Sequence, residues 1–239
     1  MSSTDLGSWM AHWRGSLDKG DRALRVAISG PVGGGKTALM EKLGWALQEE
    51  FSLAVITNDS FSTEDAQMLA ETGVLPKERI LGIKTGATPS GQARDTTALN
   101  LNAAAQLERR FPDLDMILIE SGGDDRTGMV SPQLADLSIY VIDTTQGEHT
   151  PRKGGPGVCT SDLLIINKLD LAPRVGASLA VMARDARRMR GERPFLFTNL
   201  FGGTGSAGVG EVAAWLRRQY VTRRWRNDLV IEAKAGTSR

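Results

Sequence analysis

The fold is decided by an eight-residue stretch, Gly30-Pro31-Val32-Gly33-Gly34-Gly35-Lys36-Thr37. It has the spacing of a phosphate-binding loop, a glycine, four residues and then Gly-Lys-Ser/Thr. The apolar run at residues 24–28 predicts a buried strand before it, and residues 38–50 predict a helix after it. In a strand–loop–helix unit the backbone N–H groups of the loop point at a phosphate chain. The alternative is a glycine-rich turn that meets the pattern by chance.

Each part of the loop has an expected role. The backbone amides of residues 33–38, which include Ala38, are predicted to bind phosphate oxygens together with the rest of the loop. Lys36 is expected to reach the β- and γ-phosphates, and the Thr37 hydroxyl is expected to bind Mg²⁺.

Composition favours one cytoplasmic domain. The chain has 239 residues, and one α/β domain can exceed about 200 residues. Lys and Arg number 29 against 28 Asp and Glu, unlike the basic balance of nucleic-acid binders. The single cysteine, Cys159, excludes a disulfide within the chain and favours a reducing compartment. Neither a membrane-spanning run of about 20 apolar residues nor a signal-peptide core is present. We therefore expect a cytoplasmic protein that binds neither nucleic acid nor membrane.

Strands and helices alternate along the sequence. Apolar runs predict strands at residues 24–28, 53–57, 79–83, 116–120, 137–143, 163–167 and 195–198. Helical periodicity predicts helices at residues 38–50, 62–70, 95–110, 178–190 and 212–220, and a loop around residues 151–157. Continuously apolar strands are typical of a mainly parallel sheet covered on both faces. We predict a doubly wound α/β fold over residues 23–220, with tails at 1–22 and 221–239 and ligands at the carboxyl ends of the strands.

A second motif, Asn167-Lys168-Leu169-Asp170, follows an apolar strand. The Asp170 carboxylate can accept hydrogen bonds from N1–H and the 2-amino group of guanine, a donor pair that adenine lacks. Lys168 is expected to pack its alkyl stem along the base. The motif therefore predicts GTP, although a lysine and an aspartate in an ordinary β–α turn are the alternative. Thr198-Asn199, at the end of the last strand, is predicted to contact the guanine edge.

Acidic residues at strand ends predict the magnesium site. Glu120 ends a buried strand and can hold Mg²⁺ or its water, and Gly123 lets a backbone N–H approach the γ-phosphate. Asp59 ends the second strand beside the loop and is a candidate Mg²⁺ ligand and switch residue. An ordinary strand-ending carboxylate and an Asx-turn aspartate are the respective alternatives. Lys36, Thr37, Asp59 and Glu120 are the predicted catalytic set, with direct attack by water.

These motifs lie within a longer pattern that resembles the urease accessory G proteins (UreG), nickel-delivering GTPases related to the hydrogenase maturation GTPases. The resemblance covers residues 24–220. Besides the motifs above, it is carried by Thr57-Asn58-Asp59, Glu64-Asp65-Ala66, Glu120-Ser121-Gly122-Gly123-Asp124, Ser131-Pro132, Leu134-Ala135-Asp136, Ile139-Tyr140-Val141-Ile142-Asp143, Pro151-Arg152-Lys153-Gly154-Gly155-Pro156-Gly157, Ser161-Asp162-Leu163-Leu164, Arg188-Met189-Arg190-Gly191 and residues 194–200.

The resemblance implies a slow, partner-dependent GTPase. It implies a face-to-face homodimer that forms on GTP, with Lys153 near the dimer and nucleotide contact. It also implies urease-type accessory proteins and a client enzyme as partners.

The sequence departs from this family at its nickel site. Where the family has Cys-Pro-His, this chain has Thr88-Pro89-Ser90, and Lys84 stands where the family has a glutamate. Neither Thr88 nor Ser90 is a donor that selects nickel. Cys159 lies outside that loop, where a small buried apolar role is expected. No nickel ligand is therefore predicted.

Two functional hypotheses remain open. The first is a GTPase for metallocentre assembly, in which metal passes through another site or through a partner. The second is a GTP-gated interaction switch that no longer binds nickel and serves a different client.

Overall fold

The computed structural model describes residues 22–59, 63–84, 96–121, 131, 133–201 and 207–236. Seven parallel strands form one sheet in the order β3-β2-β4-β1-β5-β6-β7. The strands are β1 (Leu24–Ser29), β2 (Leu53–Asp59), β3 (Ile80–Lys84), β4 (Met116–Glu120), β5 (Leu137–Asp143), β6 (Leu163–Asn167) and β7 (Phe195–Phe197). The predicted doubly wound parallel sheet is confirmed.

The sheet reverses its winding at β1, which pairs with β4 on one side and β5 on the other. In open parallel sheets, ligands bind at such a switch point, beyond the carboxyl ends of the strands. The register sets which residues meet there. Ile28 of β1 is the partner of Glu120 of β4, and Asp143 of β5 is the partner of Asn167 of β6.

Helices cover both faces of the sheet. They are α1 (Lys36–Leu47), α2 (Glu64–Glu71), α3 (Thr97–Arg110), α4 (Thr150–Lys153), α5 (Pro156–Thr160), α6 (Leu179–Arg190) and α7 (Val209–Gly236). On one face, α1, α2 and α7 bury residues such as Leu43, Leu69 and Leu216 against the sheet. On the other, α3 buries Leu107 over β2 and β4, and α6 buries Met182 over β5 and β6. Apolar burial of this kind is the main stabilising contribution to the fold.

The closing helix α7 is longer than predicted. We expected it to end near residue 220, but it continues to Gly236. Polar contacts at successive turns fix it to the body: Arg217 pairs with Glu50, the Tyr220 hydroxyl donates to Asp115 at 2.6 Å, and Arg223 donates to Asp136. Of these residues, only Arg223 lies beyond the predicted end, and its partner Asp136 is 87 positions away, so helical periodicity alone does not reveal the contact. The division of the chain into domain and tails stays a prediction.

The predicted loop at residues 151–157 was wrong in one respect, because short helices α4 and α5 occupy most of it. Arg190 of α6 fixes the end of this region. Its guanidinium donates to the carbonyl oxygens of Val158, Ser161 and Pro194. Burial lowers the pKa of Arg190 to about 10, well below the ordinary value of an arginine.

Within the described part of the chain, no helix is long and apolar enough to span a membrane.

Candidate functional site

The loop at residues 30–37 joins β1 to α1 and requires glycine at defined positions. Gly30 has φ +142, and a Cβ there would lie 2.1 Å from the Val141 carbonyl oxygen of β5. Gly35 has φ +103, and a Cβ there would lie 2.4 Å from Nδ2 of Asn167. Side chains are excluded at both positions because the backbone approaches neighbouring strands this closely. The loop therefore lies directly over the carboxyl ends of β5 and β6.

Lys36 begins α1 and folds back over its own loop. Its side chain is largely buried, and Nζ donates to the Pro31 carbonyl oxygen at 3.3 Å. No acidic side chain occupies the first turn of α1. The N-terminus of a helix attracts anions through its backbone N–H groups and dipole, so this turn suits a phosphate group.

Thr37 and Glu120 are brought together as the magnesium prediction requires. The Thr37 hydroxyl lies 3.0 and 3.1 Å from the two carboxylate oxygens of Glu120. Glu120 is 3% exposed, at the end of β4. A hydroxyl and a buried carboxylate are hard oxygen donors, and Mg²⁺ prefers such donors together with water and phosphate oxygens. The two residues thus fit a Mg²⁺ ion carried with a nucleotide.

Other predicted residues of this part are only partly described. The backbone of Asp59 closes β2 opposite Lys84 of β3. The Asp59 side chain, Gly123 and Thr88-Pro89-Ser90 lie outside the described residues. Their roles stay predictions.

Asn167 connects the base motif to the phosphate loop. Its Nδ2 donates to the Gly34 carbonyl oxygen at 3.0 Å. Its Oδ1 accepts hydrogen bonds from Thr198 Oγ1 at 3.0 Å and from the Leu200 backbone N–H at 3.3 Å. Asn167 is fully buried, and a buried side-chain amide needs hydrogen-bond partners for both its nitrogen and its oxygen. One side chain thereby holds the loop, β6 and the segment after β7 together.

The remaining base-motif residues lie at the rim of the same edge. Asp170 is exposed in a 3₁₀ turn, Leu169–Leu171, whose first N–H donates to the Thr198 carbonyl oxygen at 3.3 Å. The backbone N–H of Asn199 donates to the Ala207 carbonyl oxygen at 3.0 Å. The structure therefore brings the predicted base residues to one place beside the loop.

Lys153 ends the short helix α4 and is exposed. Cys159, in α5, is half-buried. Among the residues that the structure describes, no three His, Cys, Asp or Glu side chains cluster in a way that could hold a metal.

Sequence reasoning assigned no structural role to two sets of residues that hold the site. Asn58 Nδ2 donates to the Glu120 carbonyl oxygen at 2.6 Å and to Asn100 Oδ1 at 2.9 Å, which fixes the end of β4 beside α3. Asp143, the last residue of β5, and Thr144, which follows it, contact Lys168. The available signal was a polar residue at or next to the carboxyl end of an apolar strand, as at Asp143 and Asn58.

Comparison with known proteins agrees with this arrangement. The sequence profile described as CobW/HypB/UreG, nucleotide-binding domain matches residues 24–197. The hydrogenase maturation factor HypB from Archaeoglobus fulgidus is similar in structure, with a TM-score of 0.66 and 22% identity over 91% of this chain and 99% of that one. HypB from Helicobacter pylori, solved in complex with nickel, gives a TM-score of 0.69 and 16% identity over 92% and 97%.

A structure of an LAO/AO transport system kinase has a TM-score of 0.50 and 16% identity, over 98% of this chain and 73% of its own. At these identities the structural similarities concern the fold. The profile match spans most of the chain, including the phosphate loop, Glu120 and the base motif. The chain belongs to the CobW/HypB/UreG family of nucleotide-binding domains.

Proposed function

We propose that this protein is a GTP-hydrolysing accessory protein that assists metallocentre assembly in a client enzyme, with urease as the client that the UreG resemblance favours. The observation that carries the GTP assignment is the hydrogen bond from Asn167 to Gly34, because it joins the guanine motif to the phosphate loop. Family membership supports nucleotide binding as the shared property. The maturation role rests on the UreG resemblance and on the HypB neighbours.

The chain's own groups suit phosphoryl transfer to water. Backbone amides of residues 33–38 and the Lys36 ammonium would hold the β- and γ-phosphates. Thr37 and Glu120 would hold a Mg²⁺ ion, which neutralises charge on the phosphate oxygens. Water attacks the γ-phosphorus, and the bond to the β,γ-bridging oxygen breaks to give GDP and phosphate. Slow, partner-dependent turnover is expected by analogy with GTPases that receive a catalytic group from a partner.

The guanine assignment is tested by Asp170→Asn. An amide at this position can donate to the 2-oxo group of xanthine, whereas it no longer accepts two hydrogen bonds from guanine. We expect GTP to bind about a hundredfold more weakly and XTP to bind more tightly than to the original protein. Titration with fluorescent analogues of both nucleotides measures the change. Unchanged GTP affinity would reject the base-recognition assignment.

The phosphate-loop assignment is tested separately by Lys36→Ala. We expect GTP with Mg²⁺ to raise the melting temperature of the original protein and to leave that of the variant unchanged, since ligand stabilisation requires binding. Thermal unfolding with and without nucleotide measures both. Protection of the variant by GTP would show that the phosphate chain binds elsewhere.

We also propose a homodimer that forms on GTP and uses Lys153. The exposure of Lys153 at the end of α4 leaves it accessible to a second copy. Sedimentation velocity with a non-hydrolysable GTP analogue should show a dimer, and GDP should leave a monomer. Lys153→Ala should weaken the dimer, and an unchanged dimer would remove Lys153 from the interface.

A second candidate function is a GTP-gated interaction switch without nickel. It is favoured by Thr88-Pro89-Ser90, which replaces the family's Cys-Pro-His with poor nickel donors. Titration of the GTP-bound protein with Ni²⁺ distinguishes the two. Tight, stoichiometric binding would reject the switch without nickel, whereas no binding would reject a direct nickel carrier.

A further inference from the structure

Lys168 has an unusual backbone conformation for a residue with a side chain. Its φ is 61° and its ψ is 44°, and it is the one non-glycine residue with positive φ in the described part of the chain. This left-handed region is unfavourable for L-residues because Cβ approaches the backbone. Surrounding contacts must therefore hold Lys168 in place, and such positions concentrate at ligand sites.

Two consecutive residues at the carboxyl end of β5, Asp143 and Thr144, contact the side chain and the backbone of Lys168. The Lys168 ammonium lies 3.2 Å from Oδ2 of Asp143. The Thr144 hydroxyl donates to the Lys168 carbonyl oxygen at 2.7 Å. Asp143 is 2% exposed and Thr144 is fully buried, so water competes little for either contact. The side chain and the backbone of Lys168 are thus fixed independently.

The Asp143 carboxylate is also fixed by hydrogen bonds to residues other than Lys168. Its Oδ1 accepts from the Thr145 backbone N–H at 2.8 Å and from the Thr145 hydroxyl, and its Oδ2 accepts from Gln146 Nε2 at 3.2 Å. The strand register fixes the position of Asp143 along the sheet, because Asp143 pairs with Asn167, the residue before Lys168, across β5 and β6. The anchor for the lysine is therefore rigid.

We infer that Asp143 and Thr144 are positioning residues for the purine base. They hold the ammonium of Lys168 towards β5, so that its alkyl stem forms a fixed apolar surface against which the base packs. A lysine ordered in advance loses less conformational freedom when the nucleotide binds. This inference rests on the proposed guanine-nucleotide site and names residues that support it without contacting the nucleotide.

The test compares GDP with inorganic pyrophosphate, both with Mg²⁺, by calorimetric titration of Asp143→Asn. The amide keeps the shape of the side chain but removes its charge. We expect GDP to bind about tenfold more weakly, the effect of losing roughly one charge-assisted hydrogen bond. Pyrophosphate, which has no base, should bind as before. Equal weakening of both ligands would show a general structural role and overturn the inference.

A double variant shows whether Asp143 acts through Lys168. In a Lys168→Met background, Asp143→Asn should change GDP affinity by less than about twofold, because the interaction it supports is already absent. A full tenfold effect in that background would contradict the inference. Thr144→Val, which removes only the hydroxyl donor, gives an independent measurement if Asp143→Asn unfolds the protein. Unchanged GDP affinity in Thr144→Val would count against a positioning role for Thr144.

Asp162→Asn is the matched control. The Asp162 carboxylate also joins β5 to β6, accepting from the Ser138 backbone N–H at 2.7 Å, but at the opposite edge of the sheet. Its GDP affinity should be unchanged. If the original protein binds no GDP, the proposed function fails; if it binds GDP and Asp143→Asn binds equally well, only the positioning role fails.

Discussion

Asn167 donates a hydrogen bond from Nδ2 to the carbonyl oxygen of Gly34 at 3.0 Å, across 133 positions of sequence. The residue that opens the base motif is thereby attached to the loop that precedes α1. Because its Oδ1 also accepts from Thr198 and Leu200, Asn167 connects three segments of the site by hydrogen bonds. The phosphate and base halves of the site are built as one unit.

Asn167→Ala should therefore damage both stability and binding. The substitution leaves the buried Gly34 carbonyl, the Thr198 hydroxyl and the Leu200 N–H without their partner, at a cost of about 2–4 kcal/mol. Urea unfolding measures the stability, and GDP titration should show about tenfold weaker binding or worse. Asn102→Ala, on the exposed face of α3, is the matched control and should change neither. A stable variant with normal GDP affinity would show that the two halves are independent.

Gly35→Ala should disrupt the contact between the phosphate loop and Asn167 by a change in the loop itself. The residue has φ +103, and its Cβ would lie 2.4 Å from Asn167 Nδ2. Backbone strain and displacement of Asn167 together should cost about 2–4 kcal/mol and abolish GDP binding.

Gly210→Ala provides the opposite control for Gly35→Ala. Nothing lies within 4 Å of a Cβ at Gly210, which is exposed in the first turns of α7. Alanine should leave stability unchanged or raise it by about 0.5–1 kcal/mol. Normal binding by Gly35→Ala would contradict the loop geometry.

The parts of the fold that could be predicted are those governed by local sequence. Apolar runs predicted each of the seven strands to within about two residues. A continuous apolar run is typical of a parallel strand buried on both faces, as β1, β4 and β6 are here. The glycine spacing and the strand ends also placed Thr37 next to Glu120. These predictions succeeded because a parallel sheet brings the carboxyl ends of all its strands to one edge.

Contacts between side chains far apart in sequence could not be predicted. The pairing of Asn58 with Asn100, and of Asp143 with Lys168, depends on strand register and on which helix face meets the sheet. The continuation of α7 past residue 220 was missed for a related reason, since Arg223, just beyond the predicted end, contacts Asp136 on a distant segment. A polar segment whose partners are unknown is easily interpreted as a tail, as residues 221–239 were.

Thr37→Val should remove the dependence of nucleotide binding on Mg²⁺. The hydroxyl lies 3.0 Å from a carboxylate oxygen of Glu120, and valine offers no oxygen for the ion. We expect Mg²⁺ to tighten GTP binding to the original protein and to have less than about a twofold effect on the variant. Titrations in Mg²⁺ and in EDTA measure this, and Thr37→Ser should restore the dependence. If Mg²⁺ still tightened GTP binding to the Thr37→Val variant, Thr37 would not be a ligand of the ion.

Arg190→Met should destabilise the protein without changing any residue of the proposed nucleotide site. The Arg190 guanidinium is buried and donates to the Ser161 and Pro194 carbonyl oxygens, each at 2.8 Å, so its loss should cost about 2–4 kcal/mol. Burial lowers its pKa in the folded state to about 10, well below the ordinary value of an arginine in the unfolded chain. Between these values the unfolded chain binds the extra proton, so Arg190 should make stability rise with pH only above about pH 10.

The difference in unfolding free energy between the original protein and Arg190→Met should therefore stay constant from about pH 6 to 9. Urea unfolding across that range measures it, with the exposed Arg188→Met as the control. A difference that changes within this range would show that another titrating group depends on Arg190.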